Sequence, residues 1–281
     1  MIGKPMKYLY GKNVFLTGGS SGIGRATAEL FAANGYAVYA ASRTPQEDVR
    51  VFPGGGEIRP VAVDVCDQAS IESAAEKILS QSDIGIIVHC AGVGLACAAE
   101  DFPPAAVSWL TETNYLGVLR VNSSFLPHMR KRGGGLCVIT GSVAGMFPVP
   151  YQSHYCASKA ALDLYSRTLR MELRDYGVKV SLLMPGDTKT GFTGSRKYTI
   201  EESSPHYEAC HKAVRKMEKD EQGGYPPESA ARAILKLSAQ KKPPAHKIVG
   251  IDYKLLVFLS RLLPGKFIEF ILRTMYMGRQ M

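Results

Sequence analysis

Short apolar runs alternate with amphipathic segments along the first two thirds of the chain. The runs are rich in valine, isoleucine and leucine and contain few polar residues, which is typical of strands buried on both faces of a parallel sheet. We predict strands at 13–19, 36–43, 57–65, 84–92, 134–142 and 177–186, with helices at 22–35, 68–81, 105–131 and 154–176. This alternation predicts an α/β fold with a doubly wound parallel sheet and helices on both faces, in a single domain over residues 1–281.

The alternation stops after Gly186. Residues 187–225 are mainly polar, and the segment 204–219 within them places apolar residues at positions 207, 210, 214 and 217 on one side of a helix. So long an excursion inside a compact domain is more often a lid over a site than a packing element. We therefore predict a substrate lid at 187–225, followed by a helix at 226–240 and a last strand at 245–251.

The C-terminal extension, residues 253–281, is apolar but lacks the pattern of a membrane-spanning helix. Arg261, Lys266, Glu269, Arg273 and the pair Pro264-Gly265 interrupt it, so it nowhere reaches the roughly 18 uncharged apolar residues that a spanning helix needs. Two short amphipathic helices are predicted instead. They either pack on the domain as a wall of the substrate pocket or lie in a bilayer interface. The apolar positions assigned to the first helix are Leu255, Leu256, Phe258, Leu259, Leu262 and Leu263.

Composition and charge restrict the classes of partner. Hydrophobic residues make up 46% of the chain and charged residues 21%, which is ordinary for a globular protein. The net charge is +9, and residues 241–281 contain eight Lys or Arg against two acidic residues. Because these charges alternate with large apolar residues, they favour an anionic membrane surface or an anionic ligand over nucleic acid. We predict no nucleic-acid partner, and membrane contact through 253–281 as one alternative.

The spacing of cysteine and histidine argues against disulfides and against a metal site. The six cysteines include no C-x-x-C pair and the six histidines no H-x-x-x-H pair. The N-terminal segment MIGKPMKYLYGK lacks the apolar core of a secretory signal. We expect free thiols, no bound metal and a cytoplasmic location, with association at a membrane surface as the alternative.

A glycine-rich turn joins the first predicted strand to the first predicted helix. Glycine there allows the backbone to approach a pyrophosphate, whose negative charge is favoured by the N-terminus of the helix. Because the turn stands at the start of a βαβ pattern, we predict a nucleotide site. The candidate residues are Gly18, Ser20, Ser21, Gly22, Ile23 and Gly24.

Tyr155 and Lys159 lie four positions apart at the start of a predicted helix. Residues at this spacing share a helix face. The pair either belongs to a solvated surface helix or places an ammonium where it changes the titration of a phenol. The spacing alone does not decide between these two readings.

The turn T-G-x-x-x-G-x-G and the Y-x-x-x-K pair resemble those of the short-chain dehydrogenase/reductase family, and the resemblance covers residues 11–190. Within that family, the chain looks most like hydroxysteroid dehydrogenases and 3-ketosphinganine-type lipid reductases. The resemblance implies a Rossmann-type fold, a nicotinamide nucleotide cofactor and a homodimer or homotetramer. Further features of the family occur in the expected order: Asp64 and Val65, Cys90-Ala91-Gly92, Asn114, Ser142, Pro185-Gly186, Thr188 and Thr190.

The resemblance also implies catalytic roles for four residues. Tyr155 would exchange a proton with the substrate oxygen, and Ser142 would hydrogen-bond the same oxygen. Lys159 would hold the nicotinamide ribose, while Asn114 would hold a water that links the lysine to solvent. A free tyrosine has a pKa of about 10, and we expect the lysine ammonium, together with a cationic nicotinamide ring, to lower it.

The end of the second strand bears on the choice between NADP(H) and NAD(H). A carboxylate there would bind the ribose hydroxyls of NAD, but the chain has Ser42, Arg43 and Thr44. Since a guanidinium pairs strongly with a phosphate, NADP(H) is the predicted cofactor and NAD(H) the alternative.

The chain departs from the family pattern at Cys90. The family has Asn-Asn-Ala-Gly where this chain has His89-Cys90-Ala91-Gly92. A thiol cannot make the hydrogen bonds of an amide, so only the backbone of Cys90 is expected to face the cofactor. We interpret His89 as a buried, hydrogen-bonded histidine rather than a catalyst.

The residues after Ser142 and Gly92 predict an apolar substrate pocket. An elongated ketone or secondary alcohol, such as a steroid or a long-chain keto lipid, suits such a lining. A 3-ketoacyl thioester is an alternative substrate, and a non-catalytic nucleotide sensor is an alternative function. The predicted lining consists of Leu95, Met146, Phe147, Val149, Tyr151 and Phe192, with the lid closing over it.

Overall fold

A mainly parallel sheet lies at the centre of the protein, whose computed structural model describes residues 8–45 and 48–278. The strands in these ranges are β1 Asn13–Thr17, β2 Ala37–Ser42, β3 Arg50–Val51, β4 Glu57–Ala62, β5 Ile84–His89, β6 Leu95–Ala96, β7 Gly135–Thr140, β8 Val178–Pro185, β9 Lys197–Tyr198 and β10 His246–Val249. Eight of them form a sheet in the order β10-β8-β7-β5-β1-β2-β4-β3, in which β3 pairs with β4 in antiparallel orientation. β6 and β9 pair separately.

Helices cover both faces of this sheet. One face is packed by α1 and α8 and the other by α2, α4 and α5, which confirms the doubly wound α/β fold. The helices of the described residues are α1 Gly22–Ala33, α2 Gln68–Leu79, α3 Pro104–Thr111, α4 Gly117–Lys131, α5 Ser153–Glu172, α6 Phe192–Ser195, α7 Tyr207–Gln222, α8 Pro227–Ser238, α9 Ile251–Ser260 and α10 Gly265–Met277.

The winding of the sheet reverses at β1, and this reversal determines where a ligand can bind. β1 pairs in parallel with β2 on one side and with β5 on the other. In open α/β sheets, ligands bind at the carboxyl ends of the strands beside such a reversal, because the loops on either side diverge and leave a crevice. The loops after β1, β5, β7 and β8 therefore meet around one crevice.

The six strands predicted in the first part of the chain all occur, each ending one to three residues earlier than expected. β3, β6 and β9 were not predicted, because two residues are too few to show an alternating or apolar pattern. The predicted helix 105–131 is interrupted by a π-helical turn at Glu112–Leu116, with α3 before it and α4 after it. All six cysteines are free, as expected.

The two ends of the predicted lid, 187–225, are bound to each other. The amide of Lys189 donates to the carbonyl of Tyr225 (2.9 Å), and the amide of Tyr225 donates to the carbonyl of Asp187 (2.9 Å). Between them lie α6, β9 and α7, and the buried residues of α7 include Cys210, Val214 and Met217, three of the four positions predicted for its apolar side. The assignment of this segment as a lid and the single-domain boundaries remain predictions.

The C-terminal extension forms two helices separated at Pro264, as predicted. The first, α9, ends at Ser260, so the prediction that Leu262 and Leu263 belong to it was wrong: they lie in the turn before α10. Residues 279–281 of the predicted extension are outside the described part of the chain. No described helix is long and apolar enough to cross a membrane.

We expect Phe125→Ala to lower the free energy of unfolding by about 3–5 kcal/mol. The Phe125 ring is fully buried between α4 and the sheet and stacks on Phe15 with 4.2 Å between ring centroids. Urea denaturation measures the change. The control is Val51→Ala, at a side chain that is 76% exposed, for which we expect less than about 0.5 kcal/mol. Equal effects of the two substitutions would contradict the assigned core.

Candidate active site

One cavity of about 750 Å³ lies at the carboxyl ends of β1, β5, β7 and β8. It brings together most of the residues that the sequence nominated, from five separate stretches of the chain. Those that line it are Gly18, Ser21, Gly22, Ile23, Gly24, Cys90, Ala91, Gly92, Ser142, Tyr155, Lys159, Pro185, Gly186, Thr188 and Thr190. Of the predicted residues, Ser20, Ser42, Arg43, Thr44, Asp64, Val65 and Asn114 do not line it.

The glycine-rich turn packs so tightly that side chains are excluded from it. A Cβ added at Gly24 would lie 2.0 Å from the carbonyl oxygen of Gly18, and one added at Gly18 would lie 2.6 Å from the amide nitrogen of Ala91. Ser21, at the N-cap of α1, makes no side-chain capping hydrogen bond. The first amides of α1 therefore keep their capacity to bind an anion, and the turn fits a nucleotide pyrophosphate.

A smaller pocket adjoins the turn at the end of β2. Ser20 and Ser42 line it together with Arg25 and Arg50. Arg43 and Thr44 follow directly and are exposed. The residues predicted to select between NADP(H) and NAD(H), Ser42, Arg43 and Thr44, thus lie at this second pocket or directly beside it rather than in the main cavity.

Asp64 and Val65 line neither pocket. The carboxylate of Asp64 accepts a hydrogen bond from the amide of Cys66 (2.9 Å), and the Asp64 amide donates to the Ser70 hydroxyl (3.1 Å). These bonds hold the loop after β4 in place. The family resemblance makes Asp64 the acid that contacts adenine, and this role remains a prediction.

Tyr155 faces the main cavity from the first turn of α5. Burial raises the pKa of its phenol well above the ordinary value, while the neighbouring Ser142 hydroxyl lowers the pKa and the negative charge of Glu221 raises it. The expected lowering of this pKa is therefore absent in the protein alone, because loss of hydration outweighs the hydrogen bond. The phenol is protonated at neutral pH.

Lys159 lies one turn further along α5 and is 6% exposed. Its Nζ donates to the carbonyl of Thr140 (3.1 Å) and lies 5.6 Å from the centroid of the Tyr155 ring. Burial lowers the pKa of Lys159 to about 8. At neutral pH, the site therefore holds an ammonium on Lys159 beside the protonated phenol of Tyr155.

Asn114 lies behind the cavity in the π-helical turn and is 1% exposed. Its Oδ1 accepts from the amide of Val93 (2.8 Å), and its Nδ2 donates to the Val93 carbonyl (3.0 Å) and to the Ser158 hydroxyl (3.2 Å). The side chain thus links the loop after β5 to α5. Its expected role in holding a water remains a prediction.

The unusual His89-Cys90 pair has a structural explanation. His89 is buried and shares a hydrogen bond with Oδ1 of Asn122 (2.9 Å), and burial lowers the pKa of His89 to about 4. The interpretation of His89 as a satisfied core residue is confirmed. The Cys90 thiol contacts the Thr140 hydroxyl (3.6 Å), and burial raises the pKa of this thiol to about 11, so it stays neutral.

The predicted substrate lining was half right. Phe147, Val149 and Phe192 line the cavity, but three others do not. Leu95 is buried in a separate cluster because β6 pairs with β9. Tyr151 packs with the cluster of Cys210 and Val214, and Met146 is exposed on the surface.

Two regions contribute cavity residues that were not nominated individually as site residues. From α7 come Lys216, Met217, Asp220 and Glu221, and from the C-terminal helices come Tyr253, Leu256, Leu272, Met275 and Tyr276. The sequence predicted the first region as a lid and the second, in one alternative, as a pocket wall, but gave no signal for polar residues such as Glu221.

Two contacts hold these added walls against the site. Directly after Pro185-Gly186, the Asp187 amide donates to the Tyr253 hydroxyl (3.1 Å), which donates to Oδ2 of Asp187 (2.5 Å). In the lid, Arg196 pairs with Glu221, and their side chains are only 2% and 14% exposed. The Thr193 hydroxyl also donates to Glu221 (2.5 Å).

Comparisons with known proteins agree with this geometry. The sequence profile described as short chain dehydrogenase matches residues 12–201. A 3-ketodihydrosphingosine reductase of Bacteroides thetaiotaomicron is 33% identical over 267 residues, which are 94% of this chain and 97% of that protein. The human 17-beta-hydroxysteroid dehydrogenase type 1 is 33% identical over 189 residues, 64% of this chain and 57% of that protein.

A solved structure shows the same arrangement of elements. It is an alcohol dehydrogenase from the archaeon Thermococcus sibiricus, complexed with 5-hydroxy-NADP, with 26% identity and a TM-score of 0.67. The match covers 85% of this chain and 95% of that one.

We expect Glu221→Gln to destabilise the lid by about 3–5 kcal/mol, because Arg196 would keep a buried charge without its ionic partner. The matched control is Asp220→Asn, one position earlier, where the pair with Lys216 is more exposed and is worth about 0–1 kcal/mol. Hydrogen exchange of 192–222 and urea denaturation report the two effects. If both variants exchange alike, the Arg196–Glu221 pair does not hold the lid.

Proposed function

This chain belongs to the short-chain dehydrogenase family of oxidoreductases, and we propose that it interconverts a ketone and a secondary alcohol on a hydrophobic substrate. One observation carries the proposal. Ser142, Tyr155 and Lys159 border the same cavity as the glycine-rich turn, and the apolar side chains of Phe147, Phe192, Leu256, Leu272 and Met275 also line it. The cavity therefore has room for a nucleotide and an apolar substrate beside one proton donor.

The residues present fit a nicotinamide nucleotide, which when bound would supply or accept the hydride. The amides at the start of α1 would bind its pyrophosphate, and the close packing around Gly18 and Gly24 leaves the backbone open to it. Lys159, which lines the same cavity, would donate to the ribose, and Thr188 and Thr190 line the wall after β8.

The protein groups would perform the proton transfer. The raised pKa of Tyr155 keeps a proton on the phenol at neutral pH, so Tyr155 can donate it to a carbonyl oxygen during reduction. The Ser142 hydroxyl, adjacent to the phenol, would hydrogen-bond the same oxygen and orient it. The positive charge of Lys159 would stabilise the phenolate that forms.

We propose NADP(H) as the preferred cofactor and NAD(H) as the alternative. Arg25 and Arg50 line the pocket at the end of β2, and Arg43 lies directly beside it. Glu29 is the carboxylate that pairs with Arg25 (3.1 Å) and with Arg50 (3.0 Å). Among the described residues, Arg25 and Arg50 are the charged side chains that line this pocket, which supports recognition of a phosphate on the ribose.

The apolar wall supports a long-chain keto lipid or a steroid as substrate. It includes Phe147, Phe192, Leu256, Leu272 and Met275. A relative that matches 94% of the chain is a 3-ketodihydrosphingosine reductase, and this similarity ranks the keto lipid first. A panel of sphingoid ketones, steroids and 3-ketoacyl thioesters, scored by loss of NADPH absorbance, tests this order. Turnover of the thioesters alone would favour the alternative substrate, and no turnover at all would favour a nucleotide sensor.

We further propose that the chain forms a homodimer or homotetramer through α4 and α5. Leu164 and Met171, both on α5, are exposed apolar side chains, as expected of a surface that a second copy covers. The cytoplasmic location remains a proposal that rests on the free thiols.

We expect Tyr155→Phe to lower kcat at least a hundredfold while leaving nucleotide affinity nearly unchanged. The substitution removes the proton donor and keeps the ring that packs 5.9 Å from Phe192. Steady-state kinetics and fluorescence titration of NADPH measure the two quantities. The control is Tyr176→Phe, an exposed tyrosine outside the cavity, which should keep full activity. A Tyr155→Phe variant with more than a few per cent of wild-type kcat would remove the assigned acid.

We expect Arg43→Ala to weaken NADPH binding by about 1.5–3 kcal/mol, the usual range for a charged hydrogen bond. Binding of NADH should hardly change, since it lacks the phosphate, and Arg43→Lys should retain part of the NADPH affinity. Titration of NADPH and NADH against the wild type, Arg43→Ala and Arg43→Lys measures these affinities. A wild-type enzyme that prefers NADH would contradict the proposed cofactor.

A further inference from the structure

The C-terminal helices present an unusually apolar surface. Eleven of the 18 exposed large apolar side chains in the described residues lie between 251 and 275. An exposed patch of this kind marks an interaction site in a soluble protein. We call the outer face the set Ile251, Leu255, Phe258, Leu259, Leu262, Phe267, Phe270 and Ile271.

The outer face points away from the rest of the protein. Val257 of α9 and Leu272 of α10 are the buried residues of these helices and pack with Phe147. Successive helical residues are rotated by about 100°, so Leu255 and Leu259 lie on the side of α9 opposite Val257. By the same rotation, Phe270 lies opposite Leu272. Each helix thus uses a narrow inner side for packing and presents a wider apolar side outward.

Exposed basic residues accompany the outer face. Lys254 lies in α9, Arg261 directly follows α9, and Lys266 and Arg273 lie in α10, while the acidic residues of this stretch are Asp252 and Glu269. The Asp252 carboxylate accepts a hydrogen bond from Tyr225 (2.8 Å). A wide apolar side accompanied by cations complements a bilayer surface that contains anionic headgroups.

We propose that α9 and α10 dock on the surface of a membrane that contains anionic phospholipids, with the outer face inserted at the boundary between headgroups and acyl chains. The catalytic cavity opens at this surface. Leu256 and Met275 both line the cavity and are exposed, so they mark its mouth beside the outer face. A hydrophobic substrate dissolved in the bilayer can then enter without crossing water.

The position of the mouth favours a membrane over a second copy of the chain. A second copy seated on the outer face would cover Leu256 and Met275 and obstruct the cavity, whereas a fluid bilayer can deliver a lipid to it. α10 also packs against α7 of the predicted lid, and Met217 and Glu221 of α7 line the same cavity. The helices proposed to dock on the membrane are therefore packed directly against the helix that forms part of the cavity wall.

Vesicle flotation of the full chain tests the proposal, with phosphatidylcholine vesicles compared with vesicles that also contain phosphatidylglycerol. We expect binding to the anionic vesicles that weakens as salt is raised. The double variant Leu259→Glu/Phe270→Glu should bind at least tenfold less, since each substitution removes an exposed apolar side chain that the bilayer would bury. Lys254→Ala should bind the anionic vesicles about fivefold less, as for one basic residue at the surface. The matched control is Val51→Glu, an exposed apolar site elsewhere, which should bind like the wild type.

Two further measurements make the result decisive. Circular dichroism and turnover of a water-soluble ketone should be unchanged in the double variant, because neither residue lines the cavity. Sedimentation velocity reports self-association. The proposal is overturned if the wild-type protein does not bind the vesicles, or if the double variant binds them as well as the wild type does. If, in addition, the double variant self-associates less than the wild type, the outer face is assigned to a second copy of the chain. Vesicle binding needs no turnover, so failure here is distinct from failure of the proposed reaction.

Discussion

Burial of both faces of a parallel sheet is the constraint on which the rest of this structure depends. A strand such as β5, with every residue buried, must be covered by helices on both sides, which forces each connection to cross over and return. The winding reverses at β1, and the loops at the carboxyl ends of the strands then diverge. The glycine-rich turn, Ser142 and Pro185-Gly186 come from distant parts of the chain and meet there for this reason.

Loss of water determines the electrostatics of the site. Burial raises the pKa of Tyr155 and lowers that of Lys159 to about 8, so both groups move toward their neutral forms. The hydrogen bond from Lys159 to the Thr140 carbonyl (3.1 Å) keeps the ammonium between β7 and α5. In the proposed reaction, the protonated phenol would donate its proton to a ketone beside an ammonium whose pKa burial has lowered. The charge of a bound nucleotide would change the pKa of both groups.

The doubly wound sheet alone does not enclose the cavity. Its outer walls come from α7 and from α9 and α10. The Arg196–Glu221 pair joins α7 to the segment before β9, and the Asp187–Tyr253 hydrogen bonds join α9 to the end of β8. The same C-terminal helices that wall the cavity present their apolar side outward. The two alternatives that the sequence left open for this extension, a pocket wall and a bilayer contact, are therefore compatible with each other.

Periodicity predicted the α/β fold, and local motifs predicted the glycine-rich turn, because buried strands and glycine turns are properties of neighbouring residues. Spacing put Tyr155 and Lys159 on one helix face, but their role followed only from the family resemblance. Contacts between distant segments were not predictable. Leu95 is apolar and follows the Cys-Ala-Gly turn, yet its pairing with Lys197 places it in a separate cluster. Glu221 and Tyr253 reach the cavity only because the lid and the C-terminal helices fold back over it. The raised pKa of Tyr155 likewise depends on the protein around it, since desolvation is a property of the packed site and not of the local sequence.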